Sequence, residues 1–132
     1  MGTTNFERLQ GYQLAEAVAD RVWGLVVPWD RFAKDTVGKQ LVRAADSIGA
    51  NIAEGTGRGP TRDNQRFVKI ARGSLYETKH WLRRATHRGL LIPDQAEPLR
   101  RLLDELAPRL NAYLTALGKS STSKRLHQKR TK

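Results

Sequence analysis

The basic residues between positions 62 and 88 are the side chains of this sequence best placed to bind a ligand. The stretch has the apolar periodicity of one helix, with Phe67, Leu75 and Leu82 on one side. Like charges at helical spacing repel, so a largely basic face about 40 Å long is destabilising unless an anion lies on it. We therefore favour phosphate binding, with a merely solvated face as the alternative. The basic half of this helix holds Arg62, Arg66, Lys69, Arg72, Lys79, Arg83, Arg84 and Arg88, with Asp63 at its edge and Glu77 within it.

The composition of the whole chain supports a polyanionic partner. Its 132 residues include 24 Lys and Arg against 13 Asp and Glu, which gives a formal net charge of +11. This balance favours RNA or DNA over an acidic protein as the partner. Binding by such a surface depends strongly on salt and weakly on sequence. We assign the phosphate contacts to Arg58, Arg62, Arg66, Lys69, Arg72, Lys79, Arg83 and Arg84, and to Lys124 and Arg125 near the end of the chain.

Other chemistry finds little support in the sequence. There is no cysteine, and Ser47 and Ser74 each lack an identifiable histidine base. His80 and His87 form an isolated pair, which makes a poor metal site. The glycine-rich run 55–59 has no preceding strand and no following Gly-Lys-Ser/Thr, so it is not a nucleotide-binding loop. We expect a protein without catalytic residues, metal or cofactor.

A polar row accompanies the apolar stripe of the helix that precedes the glycine-rich run. Val37, Leu41 and Ile48 belong to the stripe, and small residues surround the polar row, so that another backbone can come close. The row either is satisfied inside one bundle or faces a partner subunit. We assign to such structural or subunit contacts the row Gln40, Arg43, Ser47, Asn51 and Glu54, together with Ser74 and Glu77.

The remaining pattern predicts two further helices and no strand. The first helix runs from about position 6 or 9 to Val27. The last helix begins near a capping pair, Asp94 and Glu97. We expect Pro108 to kink or split this last helix. Thr36 and Thr61 are the expected caps of the second and third helices. Short connections favour an all-α, antiparallel, up-down four-helix bundle over residues 1–117. Residues 118–132 have the composition of a basic, disordered tail.

The sequence contains no apolar run approaching the ~20 residues of a membrane span. Phe6, Glu7 and Arg8 stand where the apolar segment of a signal peptide would begin. We therefore expect a cytoplasmic protein that does not contact the membrane.

Several of these residues carry a resemblance to one bacterial family. Gln40, Arg43-Ala44, Ser47-Ile48, Asn51-Ile-Ala-Glu-Gly55, Gly57-Arg58, Ile70-Ala-Arg-Gly-Ser-Leu75 and Glu77 resemble the 23S rRNA intervening-sequence proteins. Relatives of that family include the accessory variability determinant proteins of diversity-generating retroelements. Leu9, Tyr12-Gln13 and Ala15 are similar to the opening of the family pattern, and the resemblance covers roughly residues 5 to 117.

The resemblance implies a homopentameric barrel of four-helix bundles without catalytic activity. The role of the intervening-sequence members is poorly defined, whereas the retroelement members bind a reverse transcriptase and nucleic acid. We therefore expect an oligomeric RNA-binding accessory protein. The alternatives are an accessory subunit of a retroelement reverse transcriptase and a protein-interaction scaffold without a nucleic-acid role.

Overall fold

Four long helices account for most of the chain. The computed structural model describes the backbone of residue 6 and of residues 9–131, and the side chains of residue 6 and of residues 9–120. None of these residues lies in a β-strand, so the all-α class is confirmed. No helix in the described ranges is both long and apolar enough to cross a bilayer. In chain order the elements are α1 (Gln10–Val26), α2 (Arg31–Ala33), a π-helical turn (Lys34–Gly38), α3 (Lys39–Thr56), α4 (Arg62–His87) and α5 (Pro93–Thr131).

A single hydrophobic core forms between the four long helices. The apolar stripe predicted for α3 is buried, and Leu41 and Ile48 are fully inaccessible. Burying one such side chain stabilises the fold by about 1.5–3 kcal/mol. The stripes of the other helices face the same core with Val18 and Val22 from α1, Val68, Ala71, Leu75 and Leu82 from α4, and Leu99, Leu103, Leu106 and Leu110 from α5.

Helices that follow one another in the chain also contact one another. On α3, Ser47 meets Ser74 of α4, whereas Gly55 lies against Asn64. Residue numbers therefore rise along α4 as they fall along α3. Contacts between α4 and α5 follow the same rule, since Lys79 meets Asp104 and Arg72 meets Asn111. This arrangement leaves one face of α4 turned away from the other helices.

The helical segment that leads into α3 begins earlier than the sequence predicts. Asp30 is the cap of α2, because its side chain accepts a hydrogen bond of 2.9 Å from the backbone N–H of Ala33. Thr36, the predicted cap, lies inside the π-helical turn and donates its hydroxyl to the carbonyl of Phe32 at 2.7 Å. The prediction for Thr36 is wrong because the segment runs without interruption from α2 into α3, so Thr36 has no helix end to cap.

The starts of α4 and α5 agree only in part with prediction. Thr61 caps α4 as expected, accepting a hydrogen bond from the backbone N–H of Asn64 at 3.2 Å. At α5 the reciprocal side chain is Gln95, whose Oε1 accepts from the backbone N–H of Ile92 at 3.1 Å. Glu97, the expected partner, instead forms ion pairs with Arg100 and Arg101. The first turn of α5 starts at Pro93, which places Glu97 beyond the reach of the cap.

Helix α5 is not split at Pro108, where the sequence predicts a kink or a split, and it continues past residue 117, where the sequence predicts a tail. Pro108 lies within the helix, and the buried Leu106 and Leu110 beside it hold the backbone to the core despite the missing hydrogen bond. The sequence predicts that the helical bundle ends at residue 117, but the helix extends to Thr131. The stretch beyond residue 117 has no proline, and Lys, Arg, Leu and Gln are good helix formers. The side chains of Lys124 and Arg125 lie outside the described residues.

Two buried glycines should be sensitive to the addition of one methyl group. A Cβ at Gly55 would lie 2.5 Å from Asn64 Oδ1, and one at Gly38 would lie 2.7 Å from Val26 Cγ1. We expect Gly55→Ala and Gly38→Ala each to lower the free energy of unfolding by about 1–3 kcal/mol through overpacking. Urea unfolding followed by circular dichroism measures this change.

The matched control is Gly24→Ala in α1. A Cβ at Gly24 meets nothing within 4 Å, so alanine should raise stability by about 0.5–1 kcal/mol through its higher helix propensity. Equal stability of the Gly55→Ala and Gly24→Ala variants would show that the close approach of α3 and α4 is not required.

Candidate nucleic-acid interface

The outward face of α4 carries a row of basic side chains. Arg62, Lys69 and Arg83 are exposed, and Arg84 is half-buried. No carboxylate of the described residues forms an ion pair with any of these four cations. The packing of Ala71, Leu75 and Leu82 into the core explains why this face points outward. The row therefore presents positive charge that the fold itself does not neutralise.

Two of the predicted phosphate-binding residues are already paired at the N-terminal end of α4. Arg58 forms ion pairs with Glu54 and Asp63, and Arg66 reaches Asp63 at 3.0 Å. The guanidinium carbons of both arginines lie 4.5 and 4.6 Å from the centroid of the Phe67 ring, within the range of cation–π attraction. The hydrogen bonds from Arg66 and from Arg58 hold the pKa of the Asp63 carboxyl below its ordinary value. This cluster orders the α3–α4 connection.

Two further residues that the sequence predicts to bind phosphate instead contact α5 from α4. Lys79 Nζ forms an ion pair with Asp104 at 2.9 Å, and Arg72 donates to the amide oxygen of Asn111 at 3.1 Å. Both side chains are half-buried. Sequence reasoning missed these partners because they lie 25 and 39 residues away in the chain. The structure thus divides the predicted cations with described side chains into those that already have partners within the chain and those that are available on the outward face.

Part of the polar row of α3 is satisfied within the chain. Ser74 Oγ donates to Ser47 Oγ at 2.9 Å, and Asn51 Nδ2 donates to the same oxygen at 2.9 Å. Ser47, Asn51 and Ser74 therefore form a hydrogen-bonded seam between α3 and α4. Gln40 is half-buried, and Arg43 is exposed at the edge of this seam.

A shallow depression beside the seam carries charges of both signs. Arg43, Asp46 and Glu77 line it, with Ala44, Ser47 and Ala50 between them. Glu77 accepts a hydrogen bond from Trp81 Nε1 at 3.3 Å. Partial burial raises the pKa of Asp46, and the negative charge of Asp20 on α1 raises it further. Mixed charges around small residues suit a protein contact better than a phosphate contact.

Asn64 is a site residue that the sequence analysis did not identify. It is 2% exposed, and its Nδ2 donates to the carbonyl of Gly59 at 2.9 Å and to the Tyr113 hydroxyl at 3.3 Å. These bonds connect the α3–α4 loop to α5. From the sequence, an asparagine this close to the Thr61 cap indicates a turn, but it does not indicate the contact with Tyr113. The described residues contain no group of three or more His, Asp or Glu side chains arranged to hold a metal ion.

The comparisons with known proteins agree with the architecture. One solved structure that resembles this chain is a protein of unknown function from the S23 ribosomal protein family of Bacteroides thetaiotaomicron, with a TM-score of 0.69. The two sequences are 23% identical, and the match covers 79% of this chain and 97% of the other. At this identity the likeness establishes the fold alone. A search of curated proteins finds no match.

The family comparison covers most of the chain. The model of the family described as 23S rRNA-intervening sequence protein matches residues 7–112, which include α1, α3, α4 and the first half of α5. The matched segment contains both the hydrogen-bonded seam and the outward face of α4. This chain belongs to the 23S rRNA-intervening sequence protein family.

Proposed function

We propose that this protein is a non-catalytic, oligomeric RNA-binding protein of the cytoplasm that uses the outward face of α4. The observation that carries the proposal is the row Arg62, Lys69, Arg83 and Arg84, whose charges have no carboxylate partner among the described residues. The repulsion within such a row is relieved when phosphates lie on it. The description of the family, which refers to 23S rRNA, supports RNA as the ligand.

The form of this surface favours affinity over sequence recognition. Arginine and lysine side chains on one straight helix contact the phosphates of a backbone, and these contacts carry no sequence information. Lys79 and Arg72 add positive potential from the α4–α5 seam, although their own partners limit their reach. The protein should therefore bind many RNA sequences with similar affinity.

Charge reversal on the outward face should remove RNA binding. We expect the triple variant Lys69→Glu/Arg83→Glu/Arg84→Glu to bind a fluorescent RNA at least about tenfold more weakly at low salt. The slope of log affinity against log salt should fall by about 2, because each lost phosphate contact removes ~0.7 on a single strand. Fluorescence anisotropy across a salt series measures both quantities.

The matched control carries the same change of charge elsewhere. Arg21, Lys34 and Lys39 are exposed and lie on α1, the π-helical turn and the start of α3. The variant Arg21→Glu/Lys34→Glu/Lys39→Glu should retain most of the affinity and the salt slope. Equal losses in the two triple variants would mean that net charge, and not the face of α4, governs binding. Absence of wild-type binding even at low salt would refute the proposal and favour the scaffold alternative.

We also propose that the chain is an up-down bundle that assembles into a homopentamer. The depression formed by Arg43, Asp46 and Glu77 is the surface we assign to subunit contact, because it combines small residues with charges of both signs. Light scattering after size-exclusion chromatography should give a mass five times 14.9 kDa. Arg43→Glu should lower that mass, since it would place three acidic residues together. A monomeric wild-type protein would contradict this assignment.

A second candidate function is that of a reverse-transcriptase accessory subunit. The observation in its favour is the exposure of large apolar side chains at the α1–α2 end, where Trp23 is 62% and Phe32 is 78% exposed. Exposed aromatic residues are typical of protein interfaces. Co-expression with a reverse transcriptase encoded beside the gene should yield a co-purifying complex, and Trp23→Ala/Phe32→Ala should dissociate it. Separate elution of the two proteins would exclude this role.

A further inference from the structure

Gly73 is a glycine in the middle of α4 that packing within the chain does not explain. A Cβ at this position would meet nothing within 4 Å, whereas one at Gly55 would overlap Asn64. Glycine in a helix interior costs about 1 kcal/mol relative to alanine. Nothing in the described part of the chain requires that cost at Gly73. The open position leaves room for a group from outside the subunit to approach the helix backbone here.

Two exposed side chains flank this position on the same face. Ile70 and Tyr76, three residues before and after Gly73, are 42% and 56% exposed. Tyr76 makes no hydrogen bond or ring contact with any described side chain. Ile70, Gly73 and Tyr76 thus form an exposed patch that has no side chain at its centre. We call these three residues the Gly73 notch.

Cations lie on both sides of the notch along the axis of α4. Lys69 and Arg83 each stand seven residues from Tyr76, which corresponds to about 10 Å at ~1.5 Å per residue. Two copies of this face packed against each other about a two-fold axis would oppose like charges. An RNA strand supplies both the phosphates that the cations attract and the flat bases that an exposed aromatic ring can cover.

We propose that the Gly73 notch binds an unpaired base of single-stranded RNA, which stacks on the ring of Tyr76. The missing side chain of Gly73 lets the base lie close to the helix backbone, and Lys69 and Arg83 contact the flanking phosphates. In a duplex the bases are already stacked on each other and their faces are not accessible to Tyr76. The inference rests on the proposed function and specifies its ligand as single-stranded RNA.

Ring replacement at Tyr76 tests this proposal. The probes are a fluorescent single-stranded oligouridine of about 20 nucleotides and an RNA duplex of the same length, titrated with the full-length protein. We expect Tyr76→Ala to bind the single strand about 5- to 150-fold more weakly, the range found for loss of one stacked base. Tyr76→Phe keeps the ring and should bind within about twofold of wild type. Neither variant should change duplex binding or the salt slope.

A variant at Gly73 separates this effect from a loss of folding. Gly73→Leu places a side chain in the notch but improves helix propensity, so it should raise the melting temperature while it weakens binding to the single strand. Reduced binding by a more stable protein cannot be attributed to unfolding.

The outcomes distinguish this inference from the proposal on which it depends. If the wild-type protein binds RNA with a steep salt dependence but Tyr76→Ala binds the single strand equally well, stacking is refuted and RNA binding by α4 stands. If the wild type binds neither RNA at low salt, both proposals fail. If Tyr76→Ala changes the oligomeric mass and leaves RNA binding unchanged, the notch is a contact between subunits and the inference is overturned.

Discussion

The close approach of α3 and α4 is the constraint on which the other features of the molecule depend. Gly55 allows the backbone of α3 to lie directly against Asn64, and Asn64 in turn holds the loop through Gly59 and α5 through Tyr113. The hydrogen bond between Ser47 and Ser74 connects the same two helices farther along. Asn64 Nδ2 and the two serine hydroxyls find partners in this arrangement of the helices, while Asn64 Oδ1 is buried without one among the described residues.

This seam determines what α4 presents to the outside. With Leu75 and Leu82 in the core, and with Lys79 drawn toward Asp104 of α5, the surface that remains carries Lys69 and Arg84. The division between structural and available cations follows from the rotation of α4 about its axis. A change of that rotation by one residue, 100°, would turn Lys79 away from Asp104.

Local patterns in the sequence predicted much of this fold. The apolar stripe of α3, the Thr61 cap and the basic side of α4 all depend on spacings within one helix, which the periodicity reveals. The missed features are the start of one helical segment and the side-chain contacts between residues that lie far apart in the chain. Thr36 was the predicted cap of the second helix, but the helical segment already begins at α2, where the side chain of Asp30 accepts the capping hydrogen bond. The ion pair of Lys79 depends on its alignment with a helix that begins more than ten residues later.

The unpaired charges of α4 have a consequence for the lifetime of the protein in the cell. Mutual repulsion raises the free energy of the folded chain, and a polyanion that binds only the folded form lowers it by mass action. Proteases act chiefly on the fraction of molecules that is unfolded. Under the RNA binding proposed above, the supply of RNA would set how long each molecule survives, and copies made in excess of their ligand would be removed first.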